Sequence, residues 1–439
     1  MTLHDTVAMA AVLACALAML FLLRLYRKRT GADGEWVRKM AHIGTGALSI
    51  SFPWIFSGRL PVFLICSASI ALLLAIRYLP FIHNRLSGAL DGVARKSWGE
   101  IYFPLSVGLL YQFAGDNKLL YAVPLVVLTL ADTVAALVGV EYGKHGYTTT
   151  GDTKSMEGSI AFFCAAFFSV NVALVVFSDV GRIETLLISL DIALIVMLLE
   201  AIAWRGLDNI FIPLGVFILL RLYLVMPSSQ LWNRFRVAVA LVIFVTAYAR
   251  KTTLQGSALL ASALVLYVSW ALGGWQWLVP PAMFLLAYTF FFPGKIMQSD
   301  RTHNVYAVLS IASVGLVWLF LFRIWQQPGL LFPYTLAFAI HLALIAWNFL
   351  SPRYPSARLA MGVCILVSWG LMFVPYVLIE GESRLSLLQA SASLPVCTAA
   401  FGVFYFFEPR REGIYPASRA RWLRQVALVL VATLAARVF

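Results

Sequence analysis

The sequence predicts an all-α, polytopic helical membrane protein with about 16 transmembrane spans. Three observations lead there. Of its 439 residues, 61% are hydrophobic and 12% charged, and the mean hydropathy is +0.86, more apolar surface than a water-soluble domain buries. Apolar runs close to the roughly 20 residues that cross about 30 Å of hydrocarbon recur along the whole chain, which excludes a β-barrel and a single-anchor topology. Finally, 33 Lys and Arg outnumber 20 Asp and Glu. In a membrane protein such an excess marks cytoplasmic loops, so no nucleic-acid partner is expected.

The spans centre near residues 15, 48, 69, 107, 130, 168, 194, 218, 243, 264, 284, 314, 340, 368, 397 and 431. The first is followed at once by Arg24, Arg27, Lys28 and Arg29, which hold that end in the cytoplasm and leave Met1 outside, as in an uncleaved reverse anchor. Alternation of the later loops then puts 24 basic residues inside and 8 outside, with Arg221 within a span. The five cysteines lie singly in apolar runs, without metal-ligand spacing or a disulfide framework.

Three regions follow: an anchor span over 1–33, a catalytic membrane domain over 34–226, and a second, non-catalytic membrane domain over 231–439. A Pro and Ser turn from Pro227 to Gln230 separates the last two. Asp132, Glu200, Asp208 and Asn209 lie at or near membrane depth in the first half, against little beyond His341 and Asn348 in the second. Chemistry is therefore expected in the first half.

Five polar clusters fall there, and the topology puts all five on one membrane face. Glu35, Arg38, Lys39 and His42 recur at i, i+3, i+4 and i+7, one face of a helix entering the membrane; a positive-inside anchor is the competing account for Arg38 and Lys39. Gly99-Glu100-x-x-Phe103-Pro104 opens a span with an acid at the positive helix end, as a cap or a ligand. In Asp132-Thr133-x-Ala135-Ala136-x-x-Gly139-x-x-x-Gly143, small residues form a smooth stripe below a carboxylate whose ionised form costs several kcal/mol unless it is paired, metal-bound or wet. Helix packing through that stripe is the alternative. Gly151-Asp152-Thr153-Lys154-Ser155-x-Glu157-Gly158-Ser159 feeds a helix N-terminus with free N–H groups, hydroxyls and a Lys, a set suited to phosphate oxygens, though without Walker A spacing. Glu200 with Gly206-x-Asp208-Asn209-x-x-x-Pro213 places two carboxylates and an amide in a short turn, a donor set for Mg2+ or simply a turn.

These residues resemble the phytol kinase and dolichol kinase family, membrane enzymes that phosphorylate long isoprenoid alcohols, often from CTP, over roughly 34–226. The resemblance implies nucleotide binding from Asp132 to Ser159, that is, by Thr133, Gly139, Gly143, Lys154, Ser155, Gly158 and Ser159. In the second half, Ala249-Arg250-Lys251-x-Thr253-Leu254-x-Gly256 with Gly273-Gly274-Trp275 faintly resembles the phytyl-phosphate kinase-like membrane family. The stretch from Tyr334 to Leu350, however, lacks the intramembrane Asp-Thr pair that likeness implies.

The expectation is transfer of the γ-phosphoryl group of CTP, ATP or another nucleoside triphosphate to a lipid alcohol, at a site on the cytoplasmic face of the inner membrane if the source is bacterial. Lys154 and the N–H groups near Ser155 would hold phosphates, completed by Arg38, Lys39 and His42. Asp132, Glu157, Asp208 and Asn209 would supply Mg2+ ligands, and one of the carboxylates the base. Lipid-phosphate cytidylyl transfer, a transporter and a scaffold are the alternatives. The Lys-Asp and Asp-Arg-x-Asp pattern expected of cytidylyltransferases is absent from the sequence.

Overall fold

The computed structural model describes residues 2–79, 98–149, 153–248, 252, 254–291, 303–407 and 419–438. It is all-α apart from one small hairpin, and it divides into two compact units, Met1–Arg236 and Val237–Phe439. The division falls inside a helix, a few residues beyond the Pro and Ser turn.

The first unit contains α1 (Leu3–Thr30), α2 (Gly34–Ile50), the short α3 (Phe52–Ile55), α4 (Arg59–Tyr78), α5 (Gly99–Ala114), α6 (Lys118–Tyr142), β1 (Gly146–Thr148), β2 (Thr153–Ser155), α7 (Met156–Phe177), α8 (Arg182–Ile202), α9 (Asp208–Tyr223) and the start of α10 (Ser228–Tyr248). Its main core forms where four-residue spacings meet. Phe162, Ala166, Val170 and Leu174 of α7, Ile188, Ile192 and Val196 of α8, and Ile212, Val216 and Leu220 of α9 close around Val127, Leu128 and Ala131 of α6. Side chains four apart stack on one helix face, so each helix presents a ridge to its neighbours. A second core joins Val12 of α1 to Val62 and Ile65 of α4 and Leu110 of α5. The anchor helix is docked at its N-terminal end as well: the buried Asp5 carboxylate accepts from the Ser57 N–H at 3.1 Å and the Ser57 hydroxyl at 2.7 Å.

The second unit comprises the rest of α10, α11 (Gly256–Gly273), α12 (Trp275–Phe291), α13 (Val305–Trp325), α14 (Leu331–Leu350), α15 (Ala357–Glu380), α16 (Arg384–Phe407) and α17 (Arg419–Ala435). Its axis is α14, in which every residue from Leu331 to Trp347 is buried. A helix apolar on all sides is stable only when surrounded. The Gly273-Gly274-Trp275 motif is a turn: Gly274, at φ +86, caps α11, and a Cβ on Gly273 would strike the Trp277 ring.

A helix covers each of the sixteen expected centres, but the count of sixteen spans is not reached. Among the described residues, ten helices are long and apolar enough to cross a membrane. Most of the others are too short. α2 has 17 residues, α5 has 16 and α9 has 16, and a 16-residue helix reaches only about 24 Å. α2 and α9 carry Lys39 and Asp208 of the candidate site, and α5 carries Glu100, so apolar length is lost where charged residues enter these helices.

Candidate active site

Helix α6 delivers Asp132 from its middle, and α2 delivers Lys39 and His42 beside it. Lys39 is spaced three residues from His42, so both reach the same face of α6. The Lys39 Nζ donates to Asp132 Oδ2 at 2.6 Å and to the Asp132 carbonyl oxygen at 3.2 Å. His42 Nε2 lies 3.7 Å from Asp132 Oδ2, and its ring packs edge-on against Phe103 of α5. The side chains of Lys39 and Asp132 are 4% and 17% exposed, so each charge depends on the other for compensation.

Lys154 arrives from the hairpin. β1 and β2 are antiparallel, with Tyr147 opposite Lys154 and Gly146 opposite Ser155, and cross-strand partners share a face. From that face Lys154 Nζ reaches the C-terminal turn of α8, donating to Glu200 Oε1 at 2.6 Å and also to the Glu200 carbonyl oxygen. The helix end adds its negative dipole to the carboxylate. Burial opposes the charge on Lys154, but Glu200 and Asp208 outweigh it, so the Lys154 pKa is raised. Burial with the Glu200 charge raises the Tyr147 phenol likewise, and its hydroxyl meets Ser159 Oγ at 2.8 Å.

Asp208 lies within electrostatic reach of members of both pairs. The α8–α9 turn is sharp because Arg205 and Gly206 both take left-handed backbone, at φ +53 and +88. This conformation suits Gly and strains Arg, and it lets Asp208 begin the next helix immediately. Asp208 is within electrostatic reach of Asp132, Lys154, Lys39 and His42, and Glu200 of Asp132. Arg38 acts on Asp132 and on Glu100. Five segments, α2, α6, the hairpin, α8 and α9, thus gather Lys39, His42, Asp132, Lys154, Glu200 and Asp208 in one cluster.

Other expected residues are used differently. Glu157 does not join the cluster: its carboxylate accepts from the His145 N–H at 3.2 Å and meets His145 Nδ1 at 2.6 Å, tying the hairpin to α7. Asn209 turns back, its amide donating to the Gly206 carbonyl at 3.4 Å. The expected four-residue metal set is therefore not assembled, and among the described residues no three His, Cys, Asp or Glu are gathered for a metal ion. Thr133 donates to the Thr129 carbonyl at 2.7 Å within its own helix. Ser155 caps α7 by accepting from the Gly158 N–H at 3.1 Å. Gly139, Gly143 and Gly158 let α6 approach the start of α7: a Cβ on Gly158 would lie 3.0 Å from the Ala135 carbonyl, and one on Gly143 would lie 2.9 Å from Ser155. The smooth stripe below Asp132 is thus a packing seam. Glu100 lies apart, near Arg77 and Arg38. The Glu35 side chain, Gly151 and Asp152 lie outside the described residues, as do Arg250, Lys251 and Thr253 of the second-half motif.

Several residues of interest escape the sequence reading. Tyr147 and His145 sit in a Thr-rich polar segment whose β-branched residues around a Gly-Asp pair signal a hairpin. Asp191, fully buried in the middle of α8, is a lone acid in an apolar run, the signal by which Asp132 stands out.

The chain is 29% identical over 203 residues to a phytol kinase of Synechocystis sp. (strain ATCC 27184 / PCC 6803 / Kazusa), a match spanning 45% of this chain and 83% of that protein. The N-terminal region is phytol/dolichol kinase-like. No family model matches the chain, and no solved structure matches it. In this region the cluster built above pairs Lys39 and Lys154 each with a carboxylate, with Asp208 in electrostatic reach of both pairs.

Proposed function

We propose that the chain is a membrane kinase that transfers the γ-phosphoryl group of CTP, or of another nucleoside triphosphate, to a long-chain isoprenoid or other lipid alcohol at the cytoplasmic face. The observation that carries this reading is the meeting of Lys39–Asp132 and Lys154–Glu200 around Asp208. Phosphoryl transfer asks chiefly for positioning and for neutralisation of spread negative charge. Two lysines, with Arg38 near Asp132, supply that neutralisation, and they are preorganised by their carboxylate partners. On triphosphate binding the lysines would exchange a carboxylate for phosphate oxygens, releasing a carboxylate to accept the alcohol proton.

The donor set fits Mg2+, which binds through one or two carboxylates together with substrate phosphates and retained waters. Asp132 and Asp208 would hold it, where it would screen the β- and γ-phosphate oxygens. The region's likeness to a phytol kinase supports an alcohol acceptor over a lipid phosphate.

The test is an assay of the purified protein with CTP and ATP against a panel of phytol, farnesol, geranylgeraniol, polyprenol and diacylglycerol. Release of a nucleoside diphosphate with formation of a lipid monophosphate is expected. Pyrophosphate release would replace the reading with cytidylyl transfer. No turnover of any pair, with counterflow of a solute in liposomes, would replace it with transport.

A further inference from the structure

The Tyr147 phenol takes no part in the exchange of lysine partners, yet it stands beside the lysine of one pair. Tyr147 is the cross-strand partner of Lys154, so the two side chains share a face of the hairpin, and the phenol lies within electrostatic reach of Lys154 and Glu200. Its hydroxyl meets Ser159 Oγ at 2.8 Å, in the first turn of α7. Burial with the Glu200 charge raises the phenol pKa, so at neutral pH the group is an uncharged hydroxyl that brings no further charge to the Lys154–Glu200 pair.

Two three-residue strands form too few ladder bonds to fix their own orientation. That orientation depends on ties to the neighbouring helices. At the root, the His145 carbonyl accepts from the Met156 N–H at 2.9 Å, and His145 Nδ1 meets Glu157 Oε1 at 2.6 Å. The imidazole of this pair is 75% exposed, and ion pairs in water contribute little. At the level of Lys154, the lysine is bound to Glu200 at the end of α8, and Tyr147 is bound to Ser159 of α7. Triphosphate binding, in the proposed reaction, gives up the first of these ties. The second involves no group that the exchange displaces.

We propose that Tyr147 is a positioning residue for the nucleotide: its hydroxyl, tied to Ser159, keeps the Lys154 ammonium facing the triphosphate once the lysine has left Glu200. The assignment rests on the kinase reading of the first unit. It also gives Ser159 a role through Tyr147 in place of a direct contact with phosphate.

The experiment measures steady-state turnover and melting of the purified full chain, with the nucleoside triphosphate and lipid alcohol that the panel assay shows to react. The unsubstituted chain is compared with Tyr147→Phe, Ser159→Ala and the double variant. Tyr147→Phe removes one hydroxyl and keeps the ring. Its nucleotide KM is expected to rise about three- to tenfold, the scale of one lost hydrogen bond, with kcat and the alcohol KM within about twofold of the unsubstituted values. Ser159→Ala is expected to match it, and the double variant to be no worse than either single change, because both remove the same bond. An unchanged nucleotide KM in Tyr147→Phe would overturn the assignment. So would a rise in both KM values with a lower melting temperature, which marks a structural role. Single effects that multiply in the double variant would also overturn it, by giving Ser159 its own contact with phosphate. If Tyr147→Phe does not fold, the two KM values of Ser159→Ala decide. No turnover of any pair by the unsubstituted chain would overturn the kinase reading and the assignment together, whereas normal turnover with an unchanged KM in Tyr147→Phe overturns the assignment alone.

Discussion

At the scale of single residues, Lys39 and Asp132 make separable predictions for stability and chemistry. Replacing Lys39 by Met leaves a carboxylate buried and unpaired, which should cost about 3–5 kcal/mol. Adding Asp132→Asn removes that stranded charge, so the double variant should recover most of the lost thermal stability while remaining inactive. If the double variant regained turnover, the pair would be structural only. Asp132→Ala and Lys154→Ala are each expected to lower turnover by about 100-fold or more with normal insertion, measured on purified protein. Asp132 was legible in the sequence because a lone acid in an apolar span demands a partner. Its partner was less so: Lys39, 93 positions away, read equally well as a headgroup anchor, and only packing of α2 on α6 distinguishes the two. Glu157 shows the converse, a residue with suitable chemistry and spacing that a neighbouring His captures.

At the scale of elements, the helices follow from apolar length and four-residue spacing, which is why one stands at every expected centre. The hairpin leaves only a compositional trace, β-branched residues around a Gly-Asp pair, because three-residue strands carry almost no periodic signal. Its role is to aim Lys154 at the end of α8. The α6–α7 seam makes a separate prediction. Gly158→Ala sets a methyl 3.0 Å from both the Ala135 carbonyl and the Ser155 hydroxyl, so it should destabilise the first unit by about 1–3 kcal/mol, visible as a lower melting temperature. A fall in nucleotide affinity with unchanged melting would instead assign Gly158 to phosphate binding.

At the scale of the whole molecule, the topology drawn from the basic residues predicts opposite accessibility for the two ends of the first unit. A cysteine at His145 should react with an impermeant maleimide only from the cytoplasmic side, and one at Asp116 only from the outside; labelling of both from one side would break the topology. The second unit should respond to acid. The His303 pKa is about 4 when folded against 6.5 for the ordinary imidazole, so the unfolded chain binds more protons between those values. Stability is then lost as pH falls from about 6.5 toward 4, and His303→Asn should flatten that part of the melting curve against pH.

The shortness of α2, α5 and α9 has a consequence for any amphiphile brought to Asp132 and Asp208. Where neighbouring helices stop several ångströms early, the nonpolar slab is dented, and water follows the dent downward. A hydroxyl floating at the edge of the oil would meet the charged groups at its own resting depth. Its tail could remain dissolved, and the donor would descend to it.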